Sequence, residues 1–107
     1  MALDKIFEAL ASSPRRQILA YLSKADLSTS DLAARFQMSA PAISRHLSVL
    51  ENAGLVVRER QGQFVMYRLQ REHLVNHLAG FALELCPVGR PLKRESARLA
   101  KKKSPST

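Results

Sequence analysis

At 107 residues, 46 % of them apolar, the chain has the size of one domain and can bury a single small core without metal or disulfide staples. Its one cysteine, Cys86, excludes an intramolecular disulfide and any multi-cysteine metal site within one chain, and no apolar run approaches the roughly 18 residues that a membrane span needs. The net charge of +8 favours polyanionic partners, but residues 1–86 carry only +2 of it and residues 87–107 carry +6, so the placement of cations matters more than their sum.

The opening MALDKIFEAL is amphipathic and partly acidic, unlike a signal peptide, and a cytoplasmic location is expected. Leu3, Ile6, Phe7 and Leu10 recur at i, i+3, i+4 and i+7 and predict a first helix with one apolar face. Ser12 and Ser13 break it, and Ser13 with Pro14 starts a second helix whose Ile18, Leu19 and Leu22 face inward. Ser28 and Asp31 form a capping-box pattern ahead of a short third helix that buries Leu32, Ala33 and Phe36. Gln37 and Met38 then lead into Ser39, which caps a fourth helix by accepting the Ala42 N–H, since Pro41 has none to give. Two helices joined by a tight turn make a helix-turn-helix.

Ile43, Leu47 and Leu50 turn the fourth helix toward a core, and Gly54 followed by Leu55 suits a left-handed helix end. Its outward arc carries Ala40, Pro41, Ser44 and Arg45, with Ser48 one turn on and His46 on the flank. Short side chains and donors of this kind suit a helix lying in a major groove. A capped surface helix would look the same, so the flanking sequence has to decide.

Val56, Val57, Phe64, Val65 and Tyr67 mark two strands around Gln61-Gly62-Gln63, a hairpin whose arms carry Arg58, Arg60 and Arg68. A basic hairpin beside a recognition helix can lie over phosphates or reach a minor groove. A last helix over about Glu72 to Cys86 shows an apolar seam of Leu74, Leu78, Phe81 and Leu85. The first and last helices display more apolar surface than so small a domain readily buries, which suggests a dimer that pairs them; mutual cover within a monomer is the alternative. Residues 1–86 thus read as a DNA-binding and dimerisation domain, and residues 87–107 as a basic, flexible tail.

The order helix, helix, helix-turn-helix, hairpin, helix, with FEALASSPRRQIL, DLAARFQMSAPAISRHLSVLENAGLVVRERQGQ and MYRL in succession, resembles the ArsR family of bacterial winged-helix regulators. The resemblance covers residues 3–86 and is most specific over Ala40 to Val57 and in Tyr67-Arg68-Leu69. It implies a mainly α fold with a small β-hairpin, in the order α-α-α-α-β-β-α. It implies a homodimer joined through its first and last helices, repressing promoters at an inverted repeat. Carried over residue by residue, it implies Ser39, Ala40, Pro41, Ser44, Arg45 and His46 for the major groove and Arg58, Arg60 and Gln63 for the wing. Leu3, Ile6, Phe7 and Leu10 would meet Leu74, Leu78, Phe81 and Leu85 at the dimer interface.

Many members of the family sense metals, and here the ligand positions mostly fail. Ser28 and Ser30 stand where thiolate sensors place cysteines, and Ser hydroxyls are poor ligands for soft metals. Arg71 and His73 stand where zinc sensors place Asp and His, and Glu84 and Pro87 where they place His and Glu. His73 and His77, four apart, are the remaining metal candidates, but two ligands without a third rarely make a regulatory site. No cofactor or metal inducer is expected. Cys86 lacks a resolving cysteine, and its redox use defines one alternative, a redox- or ligand-responsive repressor. The other alternative is a non-specific nucleic-acid binder driven by the basic tail. No phosphate-cradling glycine loop, HExxH or GxSxG is present, so no enzyme is expected.

Overall fold

Capping residues divide the chain into its elements. A computed structural model describes residues 2–86, and the tail expected over 87–107 lies outside them. The order is α1 (Ala2–Leu10), α2 (Ser13–Leu22), β1 (Leu27–Ser28), α3 (Thr29–Phe36), α4 (Ala40–Asn52), β2 (Val56–Gln61), β3 (Phe64–Leu69) and α5 (Arg71–Leu85). Met1–Leu74 form one unit, and α5 from Val75 onward belongs to a second. The fold is the expected winged helix-turn-helix, mainly α with a small antiparallel sheet.

The first unit is built around Ile6 and Ala9 of α1, Ile18, Leu19 and Leu22 of α2, Leu32 of α3, and Ile43, Leu47 and Leu50 of α4, closed by Leu55, Val56 and Tyr67. α2 and α4 contribute the stripes that their periodicity predicts, whereas α3 fully buries only Leu32, with Ala33 and Phe36 half-buried, and α1 buries Ala9 beside Ile6. Ile6 departs from expectation: it is fully buried in the core of its own protomer and is unavailable to a dimer interface. Its neighbours on the same helix behave otherwise, with Leu3 and Leu10 half-buried and Phe7 41 % exposed. An apolar stripe spanning two faces of a helix serves two directions, and periodicity alone does not divide it.

The cap of α2 is Ser12 rather than Ser13. The Arg15 N–H donates to Ser12 Oγ at 3.4 Å, and Arg16 N–H donates to the Ser12 carbonyl at 3.0 Å. Ser13 is already helical, and its hydroxyl accepts from Gln17 Nε2 instead. Pro14 therefore occupies the second helical position, where its missing N–H again costs nothing.

β1 was not expected from the sequence. Leu27 and Ser28 pair antiparallel with Tyr67 and Met66, adding a strand in the order β1-β3-β2. Two residues carry no periodicity to read, and β3 supplies the pairing that defines them. β2 and β3 pair from Val56 opposite Leu69 to Gln61 opposite Phe64, leaving Gly62 and Gln63 as the turn. Gly62 has φ +67°, the left-handed value that a two-residue hairpin of type II′ requires at its first central position.

The capping box is complete. Asp31 N–H donates to Ser28 Oγ at 3.1 Å, and Ser28 N–H donates to Asp31 Oδ2 at 3.0 Å. The Ser28 backbone and side-chain hydrogen bonds, with a smaller contribution from Arg35, hold the Asp31 carboxyl below its ordinary range. A carboxylate whose folded pKa is depressed stabilises the fold above its unfolded pKa and loses that contribution as pH falls through the folded value. Ser28→Ala is expected to destabilise the domain by about 1 kcal/mol at neutral pH. It should also flatten the acid limb of a stability profile below about pH 4; chemical denaturation between pH 3 and 7 checks both.

Candidate nucleic-acid interface

The candidate recognition element is α4, and both of its ends are locked by local chemistry. Ala42 N–H donates to Ser39 Oγ at 3.2 Å, the expected cap. Gly54, with φ +78°, ends the helix in a Schellman motif: Gly54 N–H donates to the Glu51 carbonyl at 2.9 Å, and Leu55 N–H to the Leu50 carbonyl at 3.0 Å. Leu50 and Leu55 are both fully buried, the hydrophobic contact that completes such an end. The turn from α3 passes through Gln37, a non-glycine residue at φ 56° and ψ 38°, whose N–H donates to the Ala33 carbonyl. Gln, unlike Gly or Asn, gives no forewarning of a left-handed position of this kind.

With Ile43, Leu47 and Leu50 fully buried, the opposite arc of α4 is exposed at Ala40, Pro41, Ser44, Arg45 and Ser48, as is the cap Ser39. His46 is half-buried. Its Nδ1 lies 3.4 Å from Arg15 Nη1, and burial, followed by the charges of Arg15 and Arg45, pushes its pKa below the ordinary histidine value. These effects favour the neutral ring.

The arginines divide by commitment. Arg45 and Arg60 are exposed and form no ion pair among the described residues. Arg58 Nε lies 3.3 Å from Glu51 Oε2 and ties the base of the wing to the end of α4. Arg68 is bound from two sides, donating from Nε and Nη2 to Asp26 Oδ2 at 3.2 and 3.1 Å and pairing with Glu59 at 3.0 Å. Hydrogen bonding and charge from Asp26, then Glu59, raise its pKa further. Arg68 braces the wing against the segment before β1, whereas Arg45 and Arg60 can bind an anion without surrendering an internal partner. Gln63 is exposed in the hairpin turn.

The residue missed from the sequence is Arg15. The signal was present in Pro14-Arg15-Arg16, because consecutive cations in the first turn of a helix oppose its dipole and need another reason to be there. That reason is α1. Arg15 donates from Nε to the Ala9 carbonyl at 2.8 Å and from Nη2 to the Glu8 carbonyl at 3.1 Å, and Arg16 Nη1 donates to the Leu10 carbonyl at 2.7 Å. Two arginines thus satisfy the open carbonyls that end α1.

At the other end of α4, a Cβ built on Gly54 would stand 2.8 Å from His73 Nε2. Gln70 N–H donates to the Leu55 carbonyl at 2.8 Å and Arg71 Nη2 to the Ser23 carbonyl at 3.2 Å, so the entry to α5 is fastened to the wing base and the end of α2. No group of three or more His, Cys, Asp or Glu among the described residues could hold a metal ion. Cys86 is half-buried just beyond α5. Among the described residues no helix is long and apolar enough to cross a membrane.

Residues 12–57, which hold α2 to α4 and the first two residues of β2, match the family described as bacterial regulatory protein, arsR family. The chain is 37 % identical over 67 residues to the transcriptional repressor SdpR of Bacillus subtilis (strain 168), a match spanning 63 % of this chain and 74 % of that one. An ArsR-like transcriptional regulator from Rhodococcus sp. RHA1 superposes with a TM-score of 0.71 at 31 % identity, over 98 % of this chain and 95 % of that one. The homodimeric winged helix-turn-helix DNA-binding domain Mb0332 from Mycobacterium bovis, described as a possible ArsR-family transcriptional regulator, superposes with a TM-score of 0.65 at 27 % identity, over 80 % and 85 % of the two chains. A capped helix with a donor-bearing outer arc, a braced basic wing and these likenesses agree: the chain belongs to the ArsR family of DNA-binding transcription regulators and is not an enzyme.

Proposed function

We propose that the protein is a cytoplasmic, sequence-specific repressor. In this reading it binds a near-palindromic operator as a homodimer, with α4 in the major groove and the wing along the backbone or minor groove. The observation that carries the reading is the exposed arc of α4, short except for Arg45 and rigidly held by the Ser39 cap and the Gly54 end. Ser39, Ala40, Pro41, Ser44, Arg45 and His46 face the base edges, and Arg58, Arg60 and Gln63 serve the phosphates. Pairing is supported by the homodimeric neighbour, and its course through α1 and α5 by the apolar side chains left exposed at Phe7 and Leu85. Two-fold symmetry then places half-sites about one helical turn, 10 to 10.5 base pairs, apart or a multiple of that.

Arg45→Ala is expected to lose discrimination at one base in each half-site, by about 1–3 kcal/mol per contact. Arg60→Ala should weaken operator and random duplexes alike and reduce the salt slope by about one. Titration of both variants against operator, single-base variants and random DNA at several salt concentrations checks this. Unchanged affinities for both would overturn the assigned surface. Removing residues 87–107 separates this reading from a tail-driven binder: a specific repressor keeps its preference for operator over random DNA and loses mainly affinity and salt dependence. Ser28, Ser30 and Arg71 in place of ligands favour release by a signal other than a metal ion.

A further inference from the structure

The contact between Arg15 and His46 fixes more than position. Two nitrogens of the Arg15 guanidinium are held by the Ala9 and Glu8 carbonyls, so the planar fork is oriented by the end of α1 before it meets α4. The third nitrogen, Nη1, stands 3.4 Å from His46 Nδ1. A guanidinium has donors and no acceptor, so this contact requires a lone pair on Nδ1, and the neutral ring then carries its proton on Nε2. We propose that Arg15 is a positioning residue for operator recognition: it holds His46 as the Nε2–H tautomer, so that α4 presents a neutral donor to an acceptor on DNA, either a guanine O6 or N7 or a phosphate oxygen.

This rests on the reading that His46 contacts DNA. Protonating the ring would set an N–H against the fork, and the charged groups acting on His46 are Arg15 from α2 and Arg45 from α4 itself; α1 contributes the Glu8 and Ala9 carbonyls that hold Arg15. His46 therefore offers a directional hydrogen bond to an acceptor rather than a charge to a phosphate.

The test uses the full chain labelled with ¹⁵N, in which only His46, His73 and His77 give imidazole signals. Long-range proton–nitrogen correlation spectra are recorded on the free protein and on its complex with an operator duplex. The expected result is a single Nε2–H pattern for His46 in both at neutral pH. Arg15→Met should mix the tautomers, raise the His46 pKa toward its ordinary value and weaken operator binding severalfold. In a His46→Ala background the same substitution should cost nothing more. A mixed or Nδ1–H ring in the unmodified protein overturns the positioning role and needs no variant to read. Full operator affinity in His46→Ala overturns the presentation of a donor and, with it, the assignment of His46 to the DNA surface. Loss of affinity confined to operator marks a base acceptor, and an equal loss on random duplex marks a phosphate.

Discussion

Gly54→Ala is expected to destabilise the domain by roughly 2–4 kcal/mol and to lower its melting temperature by about 10–20 °C. Two costs combine. A backbone at φ +78° penalises any side chain by about 1–2 kcal/mol, and the added methyl would meet the His73 ring at 2.8 Å, an overpacking cost of about 1–3 kcal/mol. Gly62 supplies the internal control. Its φ is also positive, at +67°, and an added Cβ there meets nothing within 4 Å, so Gly62→Ala should show a backbone cost of its own type II′ position with no collision. His73→Ala removes the colliding ring, and the double variant Gly54→Ala/His73→Ala should be more stable than the sum of the single losses predicts. A double variant no more stable than the sum of the single losses predicts would show that His73 does not pack against the end of α4. Because Gly54 ends α4, the same substitution should also reduce operator affinity at temperatures where the domain remains folded.

Such a junction could be read only in part from the sequence. Gly54 followed by Leu55 announced a left-handed helix end because that motif is written in adjacent residues, and the Ser39 cap was legible for the same reason: Pro41 left Ala42 as the donor. The Ser28 and Asp31 box belongs with them. What stayed hidden depends on partners distant in the chain. Nothing near Gly54 announces His73, nothing near Leu27 announces Tyr67, and Arg68 reads as a wing cation until Asp26 and Glu59 are found around it. Among adjacent candidates the outcome was settled by small geometric differences, as when Ser12 rather than Ser13 took the cap of α2. Ile6 marks another limit. Its place in the apolar face of α1 was plain, but whether that face met the protomer core or a second copy depended on how α1 sits against α2 and α4, which the pattern of one helix does not contain.

The apolar side chains that the protomer leaves exposed set up the other large effect. α5 fully buries none of its residues, and Leu85, at the end of the seam through Leu74, Leu78 and Phe81, is 65 % exposed. In the proposed dimer this seam is covered by a second copy, and replacing two of its positions by glutamate would bury unpaired charge, a cost that an interface of ordinary strength does not survive. Leu78→Glu/Leu85→Glu is therefore expected to sediment as a monomer at micromolar concentration. Its operator affinity should fall by about 100-fold or more, because each half-site is then bound without the effective concentration that its twin supplies. Leu83 lies on the opposite side of α5 from the seam and is also exposed. Leu83→Glu should leave sedimentation and operator binding close to those of the parent, separating a specific interface from a general intolerance of charge on α5. Half-site affinity provides the second reading. A monomer whose α4 and wing are intact should bind an isolated half-site as the parent protein does, and lose only the advantage of the palindrome. If the glutamate pair remains dimeric and binds its operator unchanged, the two-fold axis passes elsewhere, and the half-site spacing deduced from pairing α1 and α5 falls with it.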